Sequence, residues 1–321
     1  MILVTGATGF VGKALCASLV RSSAVRVAVR NGAVKGLPDG VDVTQRLLLP
    51  DQDWSGALVG VNVIVHCASR VHVMKEAATD PLAEFRRVNV DGTLRLANQA
   101  AGAGVKRFVF ISSIKVNGEQ TQIDEPFTAD QQANPGDPYG ISKMEAENGL
   151  RKLARETGME VVIIRPPLVY GPGVKANFLA MMCWLWRGLP LPLGAVTENR
   201  RSLVGLDNLV NLIVTCVDHP AAANQTFLVS DGEDLSTVAL LQRMSIALGR
   251  PAKLISVPIC FLRLGAALLG RSGVAQRLCG SLEVDIAKTR EVLGWSPPVG
   301  VDEGLRRTAV HWLGTQGVSL R

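Results

Sequence analysis

Tyr139-Gly140-Ile141-Ser142-Lys143 sets a phenol and an ammonium four residues apart, the spacing that brings two side chains onto one face of a helix. Lys143, together with a cationic cofactor ring, would lower the phenol's pKa, so Tyr139 describes an acid or base working near neutral pH. Ser112-Ser113 closes an apolar run and offers hydroxyls that could hold a reacting oxygen. Alone, a Tyr/Lys pair is no more than a surface helix pair. A glycine loop elsewhere in the chain gives it meaning. Gly6-Ala7-Thr8-Gly9-Phe10-Val11-Gly12 follows the run Ile2 to Thr5 and opens the apolar segment Lys13 to Val20. Glycines between a strand and a helix allow a tight turn and let backbone and helix N-terminus approach a pyrophosphate.

The second strand should show which dinucleotide is held. A carboxylate at its end bonds a ribose 2′-hydroxyl, whereas an arginine suits a 2′-phosphate. Here the strand ends Val27-Ala28-Val29-Arg30-Asn31, without a carboxylate. Arg30 therefore favours NADP(H), with NAD(H) as the alternative. His66, His72, His219 and His311 form no recognisable metal set, and hydride chemistry needs none.

The elements that must position these residues are legible as short apolar runs: Ile2 to Thr5, Val25 to Arg30, Val61 to His66, Arg107 to Ser112 and Glu160 to Arg165. Each is of strand length, and the gaps leave room for crossover helices. Runs apolar on both faces belong in a covered parallel sheet, which predicts an α/β, Rossmann-type doubly wound fold. The alternation stops at Pro166-Pro167-Leu168-Val169-Tyr170-Gly171-Pro172-Gly173. We therefore expect a dinucleotide-binding domain over 1–172 and a smaller, mainly helical substrate domain over 173–321. Strand-like runs at Arg201 to Val204 and Thr226 to Ser230 suggest a return to the first domain around 201–230.

Composition sets outer limits. The chain has 321 residues, 47% hydrophobic and 19% charged, which excludes a fibre, a mini-protein or a disordered tail. Its 34 Lys and Arg against 28 Asp and Glu give a net charge of +6, but the basic residues are scattered. That suits anionic small molecules better than nucleic acid, which calls for a basic stripe with interleaved aromatics. Cys16, Cys67, Cys183, Cys216, Cys260 and Cys279 are widely spaced and read as reduced core thiols. No export signal is evident, so a cytoplasmic location is expected. The most apolar segment, Leu254 to Leu269, is interrupted by Pro258 and Arg263 and is too short for a membrane span; it reads as a buried or lid helix, with peripheral membrane contact as the lesser reading.

The order of Thr5 to Gly12, His66-Cys67-Ala68-Ser69, Asn89-Val90-Asp91-Gly92-Thr93, Ser112-Ser113, Tyr139 to Lys143, Arg165-Pro166, Arg201 and Leu293-Gly294-Trp295 resembles the extended short-chain dehydrogenases/reductases of the nucleotide-sugar epimerase/dehydratase group. The resemblance spans nearly the whole chain. It implies Tyr139 as acid/base, Lys143 on the cofactor ribose, Ser113 on the substrate hydroxyl, and Gly6, Thr8, Gly9, Phe10, Val11 and Gly12 around the pyrophosphate. Ala68 and Ser69 would line the cofactor, Asn89 would stabilise the central helix, and Pro166 and Val169 would lie beside the nicotinamide. Lys115, Asn177, Leu193 and Arg201 would face a UDP-linked sugar, with Arg277 as a candidate second phosphate ligand. Similar enzymes often form a homodimer.

Similar sugar dehydratases carry an Asp-Glu pair where this chain has Ile114-Lys115, which argues against dehydration. The segment Ser112 to Glu119 also departs from the common epimerase pattern, with Asn117 in place of Tyr. The expectation from these signs is an NADP(H)-dependent reductase of a UDP-4-keto-6-deoxy-N-acetylhexosamine serving surface polysaccharide. A UDP-hexose 4-epimerase retaining NAD is the alternative, and a non-catalytic dinucleotide sensor a third reading.

Overall fold

Successive residues of a strand point to opposite faces of its sheet, so a run that is apolar throughout needs a helical layer on both sides. A computed structural model, which describes residues 1–32, 34–71, 80–270 and 272–317, shows this arrangement. The strands are β1 (Ile2–Thr5), β2 (Val25–Val29), β3 (Asp42–Gln45), β4 (Val63–His66), β5 (Arg107–Ile111), β6 (Glu160–Arg165), β7 (Leu168–Tyr170), β8 (Arg201–Gly205), β9 (Thr226–Leu228) and β10 (Asp234–Leu235). The α-helices are α1 (Phe10–Leu19), α2 (Ser55–Leu58), α3 (Pro81–Phe85), α4 (Thr93–Gly102), α5 (Pro138–Thr157), α6 (Ala176–Trp186), α7 (Leu206–Asp218), α8 (Thr237–Ala247), α9 (Ile259–Leu268), α10 (Ser272–Cys279), α11 (Ala287–Leu293) and α12 (Val301–Thr315). A π-helical turn, Arg86–Gly92, joins α3 to α4.

Seven strands form one sheet in the order β3-β2-β1-β4-β5-β6-β9, every pair parallel. Val4, Val65, Val109, Val162 and Ile164 pack on one face with Leu15, Cys16 and Leu19 of α1 and Leu209, Leu212 and Ile213 of α7. Leu3, Ile64, Phe108, Phe110 and Ile163 pack on the other with Leu96 and Ala97 of α4 and Ala146, Leu150 and Leu153 of α5. The order reverses between β1 and β4, and in such sheets the crevice beyond the strand ends at the reversal is where ligands sit.

β7 and β8 lie outside this sheet. They pair in parallel, and β10 adds antiparallel to β8, in a second sheet of order β10-β8-β7. Around it a third apolar cluster gathers Phe178 and Met182 of α6, Leu241 and Met244 of α8, and Leu305 and Ala309 of α12. Thr226–Leu228 extends the main sheet, whereas Arg201–Gly205 belongs to the small one.

Two expectations are corrected. Cys260 is exposed, unlike the buried Cys16, Cys216 and Cys279. The Leu254 to Leu269 segment supplies α9, and none of the residues of that helix is buried, which overturns the buried half of the buried-or-lid expectation. Among the described residues no helix is long and apolar enough to cross a membrane.

Candidate active site

The glycine loop closes on itself. Gly6 sits at φ +68°, and Gly9 N–H donates to Gly6 O at 2.9 Å. A Cβ on Gly6 would lie 2.6 Å from the Ala68 backbone nitrogen, and one on Gly12 would lie 2.2 Å from Gly6 O. Both are closer than any side chain tolerates, so the loop after β4 and the first turn of α1 approach the Gly6 backbone only because no side chain is present. Gly9 caps α1 without a side-chain bond, and the first turn holds no acidic residue. The helix N-terminus thus keeps its positive end and its N–H groups for an anion, which fits a dinucleotide pyrophosphate. Thr8 is exposed at the loop, and Phe10 and Val11 are half-buried behind it. Gly12→Ala should cost the protein its dinucleotide. We expect the bound-nucleotide content of the purified variant, read by absorbance after denaturation, to fall to a small fraction of the wild-type value.

The loop after β4 is pinned from below. Asn89, buried in the π-helical turn, accepts from Arg70 N–H at 2.7 Å and Ser69 Oγ at 3.2 Å, and donates to Arg70 O at 3.0 Å and Ser142 Oγ at 3.1 Å. Ser142 Oγ in turn donates to Tyr139 O at 2.8 Å. One amide side chain therefore ties the loop carrying Ala68 and Ser69 to the first turn of α5. His66, buried at the end of β4, hydrogen-bonds through its two ring nitrogens to Thr5 Oγ1 at 2.7 Å and Thr93 Oγ1 at 2.9 Å. Burial, and secondarily the charge of Lys143, pushes its pKa down to about 3, so it stays neutral.

Helix α5 starts cleanly. Pro138 occupies its first turn, and Asp137 at the N-cap accepts from Gly140 N–H at 2.7 Å. Tyr139, Lys143 and Glu147 then recur every four residues. Tyr139 is half-buried, edge-on to Phe85 with ring centroids 6.0 Å apart, and hydrogen-bonded to Ser69. Lys143 is buried; its Nζ donates to Ile111 O at 2.7 Å and sits 4.3 Å from the centre of the Phe110 ring. Burial lowers the Lys143 pKa to about 8, partly offset by Glu147. Burial also raises the Tyr139 phenol to about 12; the Ser69 bond opposes this and the Asp137 charge adds to it.

Burial thus holds the phenol high in the protein alone, and the expected lowering toward neutrality rests on the charge of a bound oxidised dinucleotide as well as on Lys143. A further positive charge is needed in the crevice. Since the chain has only two tyrosines, a tyrosinate absorbance titration reads this directly. Without dinucleotide we expect no ionisation below about pH 11. With an oxidised dinucleotide bound, one tyrosine should titrate at lower pH, and that step should be missing from Tyr139→Phe.

Glu147 was not singled out from the sequence, and its environment explains why α5 holds its register. It is fully buried, and accepts from Ser112 Oγ at 2.6 Å, Arg165 Nε at 2.9 Å, Arg165 Nη2 at 2.6 Å and Arg151 Nη2 at 3.0 Å. Arg165 Nη1 continues to Asn117 Oδ1 at 2.9 Å, and Asn117 Nδ2 to Thr128 O at 2.8 Å. This network clamps the tips of β5 and β6 to the helix of Tyr139 and Lys143. It also gives Ser112 a structural role; Ser113, at the next position, is half-buried. Ser113 Oγ accepts from Lys115 N–H at 3.3 Å and caps a short 3-10 turn, Ile114–Val116. The i+8 repeat from Tyr139 was the available sequence signal for Glu147.

Other candidates are placed as follows. Pro166 is buried, with its carbonyl accepting from Ile114 N–H at 3.0 Å, and Val169 is half-buried in β7. Arg30 is exposed just beyond β2. Lys115 is ion-paired with Asp137 and, at 3.2 Å, with Glu119, so any substrate contact would come from within that cluster. Asn177 is exposed in the first turn of α6, and Leu193 packs against the third apolar cluster. Arg201, half-buried, donates to Gly280 O at 3.1 Å. Burial lowers its pKa, and so does the charge of Arg277 on α10. Among the described residues neither arginine pairs with a carboxylate; Arg277 Nε donates to Gly273 O at 3.0 Å. Among the described residues no His, Cys, Asp or Glu cluster could hold a metal; His72 lies outside them.

Residues 2–230 match the NAD dependent epimerase/dehydratase family. The chain belongs to that family. It is an enzyme of the extended short-chain dehydrogenase/reductase type, with the nucleotide-sugar epimerase/dehydratase fold. A UDP-glucose 4-epimerase of Vibrio cholerae is 50% identical over 314 residues, covering 97% of this chain and 95% of that protein. Among solved structures, UDP-glucuronic acid 4-epimerase from Bacillus cereus in complex with NAD superposes with a TM-score of 0.80 at 19% identity, covering 99% and 98% of the two chains. UDP-glucose 4-epimerase from Thermotoga maritima with UDP-glucose superposes at 0.79 with 24% identity, covering 98% and 99%. At these identities the two structures speak for the family fold alone.

Proposed function

We propose that this family member is a UDP-hexose 4-epimerase that retains NAD. The observation that carries the reading is 50% identity to the Vibrio cholerae UDP-glucose 4-epimerase over nearly the full length of both chains, together with an intact Ser113, Tyr139 and Lys143. It replaces the reductase as the leading reading, and NADP(H) as the leading cofactor.

Gly6, Gly9 and Gly12 with the α1 N-terminus would hold the dinucleotide pyrophosphate, Ala68 and Ser69 would flank it, and Lys143 would reach its ribose. Bound there, the group supplies a reversible hydride acceptor for sugar carbon 4 and a positive charge beside the phenol. Tyr139 as phenolate accepts the proton of the 4-hydroxyl while Ser113 fixes that oxygen. Arg201 and Arg277 hold the UDP diphosphate, so the sugar can turn while the nucleotide stays in place. Tyr139 then returns its proton to the oxygen at carbon 4 with the other face presented, and the configuration is inverted. Residues 1–172, with the later strand β9, form the dinucleotide half and most of 173–321 the sugar-nucleotide half.

One observation favours the 4-keto reductase as a second reading: β2 is followed directly by Arg30, with no carboxylate at its end, which suits a 2′-phosphate. Mass analysis of the nucleotide released on denaturation separates the two. The epimerase requires about one NAD per chain. NADP, or an empty protein that oxidises NADPH only with a UDP-4-keto sugar, would overturn it in favour of reduction.

A further inference from the structure

Helix α9 turns its apolar side outward. Phe261, Leu264 and Leu268, at i, i+3 and i+7, form one stripe and are 63%, 58% and 80% exposed; Leu269 follows at 74%. Ile255 before the helix, and Val274 and Leu278 on α10, are exposed as well. A contiguous apolar face of this kind on a water-soluble helix marks a surface that meets something. The neighbouring charges say what it meets. From Leu235 to Leu282 the chain has no Asp or Glu, yet contains Arg243, Arg250, Lys253, Arg263, Arg271 and Arg277.

Two of these are engaged: Arg243 pairs with Glu233 and Asp302, and Arg250 lies over the Trp186 ring at 4.5 Å. Arg271 lies outside the described residues. Lys253, Arg263 and Arg277 have no carboxylate partner among the described residues. Arg263 is exposed on the same helix, set about 100° round from Leu264, and a long cationic side chain can snorkel from there toward a headgroup while the apolar residues enter the acyl boundary.

We propose that the α9–α10 hairpin docks this protein, peripherally and reversibly, on an anionic lipid surface, with Phe261, Leu264 and Leu268 inserted and Lys253 and Arg263 on the headgroups. Wholly basic flanks suit a bilayer carrying negative charge; a second copy of this chain would bring the same positive charges against them. Phe261, Leu264 and Leu268 are not among the residues assigned to the crevice, and Arg277 on α10, which is, takes no part in the docking; bound-nucleotide content reads the two roles apart.

The test is co-sedimentation of the full chain with vesicles of phosphatidylcholine alone or with about 30% phosphatidylglycerol, at low and high salt. Wild-type protein should pellet with the anionic vesicles, less so at high salt, and only weakly with phosphatidylcholine. Phe261→Asp/Leu268→Asp should reduce that binding by about tenfold or more, with bound-nucleotide content unchanged. Arg263→Glu, at an exposed side chain, should weaken it by a smaller factor and reduce its salt dependence. Equal recovery of wild type and double variant, or no recovery of wild type, overturns the proposal. So does a change from dimer to monomer caused by the double variant in sedimentation velocity without lipid, which would make the stripe a self-association face.

Discussion

Tyr139→Phe should lower kcat by about 10²- to 10⁴-fold, the usual worth of a positioned proton donor or acceptor, and leave KM within a small factor. The substitution removes one oxygen. The ring keeps its edge contact with Phe85, and the Asn89–Ser142 tie to α5 runs through backbone and other side chains. Among the described residues, two titratable groups close to this part of the fold are already engaged. Lys143 is held by the Ile111 carbonyl, and His66 is buried, neutral and satisfied by two threonines. The other tyrosine, Tyr170, donates to Asp231 at 2.7 Å inside the small-sheet cluster, and burial with that carboxylate pushes its pKa far up. A variant with steady-state kcat within fivefold of wild type would remove Tyr139 from the proposed mechanism.

The second large effect concerns stability. Glu147→Leu leaves the Arg165 guanidinium, whose side chain is 4% exposed, without its carboxylate. Breaking a buried pair by deleting one partner costs about 3–5 kcal/mol, because a charge stays buried without compensation. For a protein of this size the melting temperature should fall by roughly 10 °C, read by calorimetry. Restoring neutrality with Glu147→Leu/Arg165→Leu should recover part of the loss, since the desolvation of Arg165 is then relieved. Activity should suffer beyond the stability loss, because Ser112 Oγ, and with it the strand end preceding Ser113, is anchored on Glu147. A fall of under 2 °C would show that the network is not what holds α5 on the sheet.

These two residues illustrate what the sequence discloses and what it hides. The five sheet runs from Ile2 to Arg165 are legible because burial on both faces leaves unbroken Val and Ile, and the glycine loop is legible because only glycine permits the approach of Ala68 and the Gly6 carbonyl. Tyr139 and Lys143 show in their spacing. Glu147, one further turn along, reads as an ordinary surface carboxylate; its burial depends on Arg165 and Asn117 arriving from distant segments. Strand β7 was obscured by Pro166-Pro167, which mark a boundary locally while the next three residues pair with β8. Arg201 and Arg277 were both named as candidate phosphate ligands, but that the charge of one bears on the other emerges only when α10 folds back. Leu254 to Leu269 was read for hydrophobicity, but hydrophobicity alone does not say whether a helix faces the core or water. Chemistry carried by local spacing is visible in one dimension; chemistry that depends on partners remote in the chain is not.

The central claim is inversion at sugar carbon 4 without net oxidation. Its most direct test is incubation of the purified chain with UDP-galactose and no added dinucleotide, following UDP-glucose by NMR. Epimerisation predicts interconversion to a fixed equilibrium mixture, reached from either sugar, and an approach slower by about 10²- to 10⁴-fold with Tyr139→Phe. No interconversion by protein that contains bound NAD, while NADPH is consumed with a UDP-4-keto sugar, would contradict it.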